Sequence, residues 1–213
     1  MTQAPAKQSA REKLLDAAFS VIRAQGYSAT SVDDLCRAAG VTKGAFFHHF
    51  ASKEALAVAA ANHWNETTSA LFAAAPYHAP EDPLDRVLGY LDFRRAILQG
   101  DLPEFTCLVG TMVQEAYGSN PEIRDACRVS IFDHAAHIER DIAEAMDRRG
   151  MTTTEWTARS LALHTQAVLQ GAFILAKAEG TAEGGAALAA QSVDHLKRYI
   201  EMLFTLEERA NAA

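Results

Sequence analysis

Helix starts and stops recur along this chain, and strand signals do not. Ser9 is followed three residues later by Glu12, a capping box in which a hydroxyl and a carboxylate satisfy N–H groups of the first helical turn. Behind it Leu14, Ala18 and Ile22, with Leu15 and Phe19, form one apolar stripe, and Gly26 supplies a left-handed residue to end the helix. Ser31-Val-Asp-Asp34 is a second box and opens a short helix with Val32, Leu35, Cys36 and Ala39 inward, closed by Gly40. Thr42 caps a third helix, with Val41 and Phe46 at the spacing of a hydrophobic staple and Phe50 one turn further on.

The pattern continues. Ser52 caps a longer helix through Leu56, Ala60 and Trp64 towards Phe72, and the stretch AAAPYHAPEDP breaks it. Asp82-Pro83 and Asn120-Pro121 restart helices with proline at the first position. Pro103 to Tyr117 reads as one short apolar helix, and Pro121 to about Arg149 as a long one. Thr152-Thr-Thr-Glu155 predicts the start of a helix reaching about Glu179. A last helix runs from about Ala187 to Glu208, after Gly180, Gly184 and Gly185. The expectation is an all-α protein of about nine helices without an internal repeat.

With 213 residues the chain can bury roughly 70% of its unfolded surface, so it needs neither disulfide nor metal to fold. Apolar residues at 49% and charged residues at 22% exclude a largely disordered chain. No apolar run approaches the roughly 18 residues of a membrane span, and MTQAPAKQSAREK lacks the core of a signal peptide. Cys36, Cys107 and Cys127, an odd number with no CxxC pair, make no disulfide framework. A soluble, cytoplasmic protein is expected, with no cofactor.

The net charge of −7 is poor for a phosphate-bearing partner, but it conceals a division. Residues 1–53 hold seven basic side chains (Lys7, Arg11, Lys13, Arg23, Arg37, Lys43, Lys53) and four acidic ones, so the acidic excess lies entirely in the remainder. A basic end on an acidic body points to nucleic acid at that end.

Residues 31–50 carry the chemistry. Two short helices joined by Ala39-Gly40-Val41-Thr42 form a helix-turn-helix. The second places Phe46 and Phe50 inward and leaves Thr42, Lys43, Ala45, Phe47, His48 and His49 facing partly outward, a set suited to a DNA groove. Thr42 and Lys43 stand where a helix N-terminus attracts phosphate, Gly44 allows close approach, and Lys53 is placed for a flanking phosphate. The plain alternative is an αα-hairpin with a solvated face.

The run TSVDDLCRAAGVTKGAFFHHFASKEAL, after a capped helix ending in Gly26-Tyr27, strongly resembles the DNA-binding domain of TetR-family transcriptional regulators. Gly26, Thr30, Val32, Leu35, Ala39 to Gly44, Phe46, His49, Phe50, Ser52 to Glu54 and Leu56 carry the likeness. It implies a DNA-binding domain over 9–69 and an effector-binding, dimerising domain over 70–213. It also implies a DNA-facing set of Thr42, Lys43, Gly44, Ala45, Phe47, His48, His49 and Lys53, with Thr30 and Ser31 on phosphate. Phe47 stands where the family usually has tyrosine, which suggests contact with sugar or a thymine methyl.

The resemblance further implies a homodimer on a palindromic operator of double-stranded DNA, repression, and release by a small-molecule effector. Leu161, Val168, Gly171, Ala172, Leu196, Ile200 and Leu203 on the last two helices are the expected dimer face. Phe72, Tyr90, Phe93, Phe105, Cys107, Met112, Tyr117, Phe132, Trp156 and His164 are candidates for the effector pocket, although such side chains at helical spacing also fill cores. Cys107, in a Cys-Leu-Val-Gly element, reads first as a small buried hydrophobe and second as a redox or electrophile sensor. His134 and His137, one turn apart, make at most part of a metal site. No nucleophile–base arrangement, phosphate loop or HExxH appears. Two other readings stay open: an all-α small-molecule-binding protein or enzyme with a merely structural N-terminal hairpin, and a nonspecific architectural DNA binder.

Overall fold

The computed structural model describes residues 8–211; Lys7, counted above among the basic residues, lies outside them. Within that range the chain forms ten α-helices, one 3-10 turn (Pro76–His78) and no strand. The helices are α1 Ala10–Gln25, α2 Val32–Ala39, α3 Lys43–His49, α4 Lys53–Ala73, α5 Pro83–Ala96, α6 Leu102–Phe105, α7 Leu108–Ala116, α8 Pro121–Arg148, α9 Ala158–Glu179 and α10 Ala182–Asn211. No helix is long and apolar enough to cross a membrane among these residues.

The segment expected as one helix from Pro103 to Tyr117 is two. Thr106 and Cys107 are extended between α6 and α7, and the Thr106 hydroxyl turns back to donate to Leu102 O at 2.8 Å. Cys107 then caps α7, its sulfur accepting the Gly110 N–H at 3.4 Å. Helix α9 starts six residues after Thr152, because Thr157 and Ser160 form the capping box. Helix α10 begins before its glycines. Thr181 accepts the Gly184 N–H at 3.1 Å, and a Cβ on Gly185 would lie 2.9 Å from Ala176 O, so the glycine lets α10 cross closely over α9. Gly26 also departs from expectation: at φ 88° and ψ 160° it is not left-handed helical but in a region open essentially to glycine alone.

Two compact units emerge. One comprises the chain up to Thr67 together with Cys107–Ser130; the other comprises Thr68–Thr106 and the chain from Ile131. Residues 107–130, expected in the second domain, therefore pack with the N-terminal helices. The reason is a long-range bond: the Glu115 carboxylate on α7 accepts the backbone N–H of Tyr27 at 3.2 Å and of Ser28 at 2.7 Å.

In the first unit Leu14, Leu15, Ala18 and Ile22 of α1 close over Leu35 and Cys36 of α2, Phe46 of α3 and Leu56 of α4, all buried. In the second unit Val87, Tyr90 and Leu91 of α5, Ile138 and Ile142 of α8, Leu161 and Leu169 of α9, and Val193, Leu196, Ile200 and Phe204 of α10 share one core.

Candidate nucleic-acid interface and cavity

Helix α3 has only seven residues and is held at both ends. The Thr42 hydroxyl accepts the Ala45 N–H at 3.1 Å, and the Phe50 N–H returns to Phe46 O at 2.8 Å. Gly40, at φ 62° and ψ 37°, turns the chain between α2 and α3. With Phe46 fully buried and Phe50 nearly so, the opposite side is forced outward. Thr42, Lys43, Gly44, His48 and His49 are exposed there, Ala45 is half-buried, and Phe47 is 56% exposed with its ring edge-on to Phe46 at 5.1 Å. Beyond that edge contact, more than half of this phenylalanine faces water.

Lys43 Nζ meets Asp33 Oδ1 at 2.8 Å. Both side chains are well exposed, so the pair is worth little in water and leaves the ammonium exchangeable. The bond to Asp33 also raises the lysine pKa, which keeps the charge in place. Ser31 is exposed but engaged: its hydroxyl donates to Asp34 Oδ2 at 2.6 Å and accepts the Asp34 N–H at 3.2 Å. The hydroxyl's donation, with the Ser31 backbone N–H giving to the same oxygen at 3.0 Å, holds the Asp34 carboxyl down to about 2.

Two members of the expected DNA-facing set are turned to other work. Thr30 is 2% exposed and its hydroxyl donates to Gly26 O at 2.6 Å, so it closes the α1–α2 turn. Lys53 is half-buried. Its ammonium donates to Tyr27 O at 3.1 Å and Thr30 O at 3.0 Å, and sits 4.3 Å from the centre of the Tyr27 ring. Both act from behind the interface by fixing the turn that Glu115 also grips. Glu115 itself was invisible in the sequence, since nothing local marks a carboxylate that bonds 87 and 88 residues away.

The second unit holds a cavity of about 310 Å³ between the end of α4, the 3-10 turn, α5 and the middle of α8. Of the expected pocket residues, Phe72 and Tyr90 line it, and Phe93 stacks edge-on behind Phe72 at 5.6 Å. The others do not come together. Met112 and Phe105 are buried elsewhere, while Tyr117 and Phe132 are exposed. Cys107 is the α7 cap, and His164 lies on the surface against Tyr199. Trp156 packs on Phe204 with its indole nitrogen buried and unpaired. Tyr77, Val87 and Ile138 complete the cavity's apolar wall.

His134 and His137 both line the cavity and do not converge as metal ligands. The Tyr90 hydroxyl and His134 Nε2 share a hydrogen bond of 2.9 Å, and the imidazole stands edge-on to Phe72 at 4.5 Å. Burial, then the charge of Arg94, holds His134 neutral by pushing its pKa down to about 3. His137 points outward to Arg140. Asp141, one turn beyond His137, takes Arg86 Nε at 2.8 Å, and Glu144 takes the other side of that guanidinium. The Cys127 thiol is pushed up to about 12, by burial first and Cys107 second.

The residues expected on the dimer face are engaged within the second unit. Leu161, Ala172, Leu196 and Ile200 are buried within the second unit, and Val168, Gly171 and Leu203 are half-buried, because α9 and α10 use those positions to pack on each other and on α5. The outward face carries Ile174 and Leu175 on α9, and Leu188, Tyr199, Met202 and Leu206 on α10.

A capped recognition-type helix on a three-helix base, joined to an all-helical body, is the architecture of a helix-turn-helix regulator. Comparison with known proteins agrees. Residues 14–60 match the family of bacterial regulatory proteins, tetR family, and residues 83–191 match the C-terminal domain of LmrA/YxaF-like transcriptional regulators. The chain belongs to the TetR family of transcriptional regulators, and its body is of the LmrA/YxaF-like kind. It is 25% identical to the HTH-type transcriptional regulator LmrA of Bacillus subtilis over 173 residues, 78% of this chain and 85% of that protein. It is 41% identical over 61 residues to the HTH-type transcriptional repressor KstR2 of Rhodococcus jostii, 26% of this chain and 30% of that one. A TetR transcriptional regulator from Chloroflexus aurantiacus superposes with a TM-score of 0.73 at 28% identity, over 90% of this chain and 94% of that one.

Proposed function

We propose that this DNA-binding regulator is a cytoplasmic repressor. It sits on a palindromic operator as a homodimer and leaves when a small molecule fills the cavity of its second unit. The observation that carries the reading is the outward face of α3, where Lys43, Gly44, Phe47, His48 and His49 are exposed on a helix whose opposite side is anchored by Phe46. Most contacts of such a face position the domain on phosphates, and a few side chains reach base edges. A single face this small binds weakly, so two copies related by a two-fold axis supply the rest.

The exposed apolar row of Leu175, Leu188, Tyr199 and Met202 supports a second copy as the occupant of the α9–α10 face. The effector acts only to the extent that it binds the released form more tightly than the DNA-bound form.

Selection from a random duplex pool, followed by a salt titration of the winner, tests this. A palindrome with a salt slope of several, at roughly 0.9 per phosphate contact, is expected. Equal affinity for all duplexes would make the protein an architectural binder. Absence of salt-dependent binding would remove DNA from its function.

A further inference from the structure

The cavity of the second unit separates its carbon from its charge. Its wall is Phe72, Tyr77, Tyr90 and Val87, and a polar pair set in that wall, the Tyr90 hydroxyl and His134 Nε2, is bonded together and uncharged. The formal charges of the lining are Arg140 and Asp141. They are not equivalent. Asp141, at 2.8 Å, shares the Arg86 guanidinium with Glu144, and Arg148 bonds Glu144 in turn, so the two carboxylates are balanced by two guanidiniums. Arg140 is exposed, and the partner it has among the described residues is a nitrogen of His137, which brings no negative charge. A second cation, Arg94, lies over the Phe72 ring at 5.3 Å.

A cationic guest would therefore meet Arg140 at the lining, with Arg94 against Phe72, and no lining carboxylate outside an ion pair to offset them. A neutral guest would leave Arg140 unanswered. An anion whose charge projects from an aromatic body answers both parts of the site at once. Guanidinium presents two parallel N–H donors that match a carboxylate. At about 310 Å³ the space lies at the small end of ligand pockets, which suits one or two fused rings.

We propose that the ligand of this cavity is a small aromatic carboxylate, with its rings against Phe72, Tyr77 and Tyr90 and its carboxylate on Arg140. This rests on the reading of the cavity as the effector site, and deepens it by naming the chemical class.

Three probes share one ring system and differ in charge: 2-naphthoate, 2-naphthamide and 2-naphthylmethylammonium. Titration calorimetry on the full-length protein is expected to rank the acid about fivefold above the amide, the size of an ion pair at a solvent edge, with the ammonium weakest. Arg140→Gln, at an exposed position of α8, should erase the acid's advantage and leave the amide unchanged. Ser69→Trp or Ala73→Trp, both at the cavity lining, should weaken all three.

An amide or ammonium that binds as well as the acid overturns the proposal, and leaves the cavity as the effector site if the tryptophan variants still block it. An acid preference that survives Arg140→Gln, or binding that survives both tryptophan variants, also overturns it. So does the absence of binding by all three probes. The effector reading is tested separately by adding the acid to the complex with the selected duplex. A carboxylate that binds in the cavity and releases no DNA defeats that reading alone.

Discussion

The two units fix their working surfaces over different distances along the chain. In the first, the bonds that set α2 and α3 join residues three apart, Ser31 with Asp34 and Thr42 with Ala45. In the second, the bonds around the cavity reach much further: 44 residues from Tyr90 to His134, 55 from Arg86 to Asp141 and 67 from Asp82 to Arg149. The DNA-binding face is thus built from short segments that each specify their own ends. The cavity exists only once α5 and α8 are side by side. Two side chains in the first unit reach further: Lys53, 26 and 23 residues back to Tyr27 O and Thr30 O, and Glu115, which ties α7 to the α1–α2 turn.

The largest effects should come from each unit's anchor. Phe46→Ala removes a fully buried ring under α3 and should cost about 3–5 kcal/mol, while Ile200→Ala in the other core should cost about 2–5 kcal/mol. Denaturant melts followed by hydrogen exchange should show each loss first in its own unit. Equal loosening of both units by Phe46→Ala would abolish the distinction drawn above.

Acid should separate the units next. A histidine whose folded pKa is depressed contributes stability that is complete above its ordinary value near 6.5 and is lost as pH falls towards about 3. For Asp34 the window runs from 3.8 down to about 2. Exchange protection of α5 and α8 should therefore fall at milder acidity than that of α2, and His134→Gln should flatten the first slope. Simultaneous loss in both units would contradict these assignments.

Gly26→Ala probes the Glu115 tie. The new Cβ would occupy a conformation reserved for glycine and lie 2.5 Å from the Glu115 carboxylate, so a loss of about 1–3 kcal/mol is expected. Pairing it with Glu115→Ala should recover only the part due to crowding, which a double-mutant cycle measures.

Leu175→Arg should change monomer stability by no more than about 0.5 kcal/mol, since that side chain is 54% exposed, yet turn the protein monomeric in sedimentation. Gly44→Ala should move fold and DNA binding in opposite directions. Its Cβ would meet only the Thr42 hydroxyl, at 3.8 Å, and alanine favours helix by roughly 1 kcal/mol. A melt that rises while DNA affinity falls would place the duplex against that backbone.

These distances also explain what could be read in the sequence. Ser9, Ser31 and Thr42 announced their helices because a cap depends on its own next three residues. Thr152 misled because Thr157 offers a competing cap with Ser160, while Trp156 packs on Phe204 and ties the intervening residues down. Leu161, Leu196 and Ile200 have the spacing of an apolar helix face, and spacing alone does not say whether that face meets the same chain or another copy. The cavity was half legible: Phe72 and Tyr90 are large aromatics, but Arg140 looks like any solvated arginine until His137 and Asp141 are seen beside it.

The contact between Lys43 and Asp33 gives the recognition helix an internal substitute for phosphate. On the proposed reading Lys43 leaves Asp33 whenever it meets a phosphate, and even the small worth of that exposed pair subtracts from what random sequence gains. A base edge that takes the ammonium together with the rest of the α3 face offers more. Because millions of wrong sites compete with each right one, weakening the wrong ones speeds the search as surely as strengthening the right one.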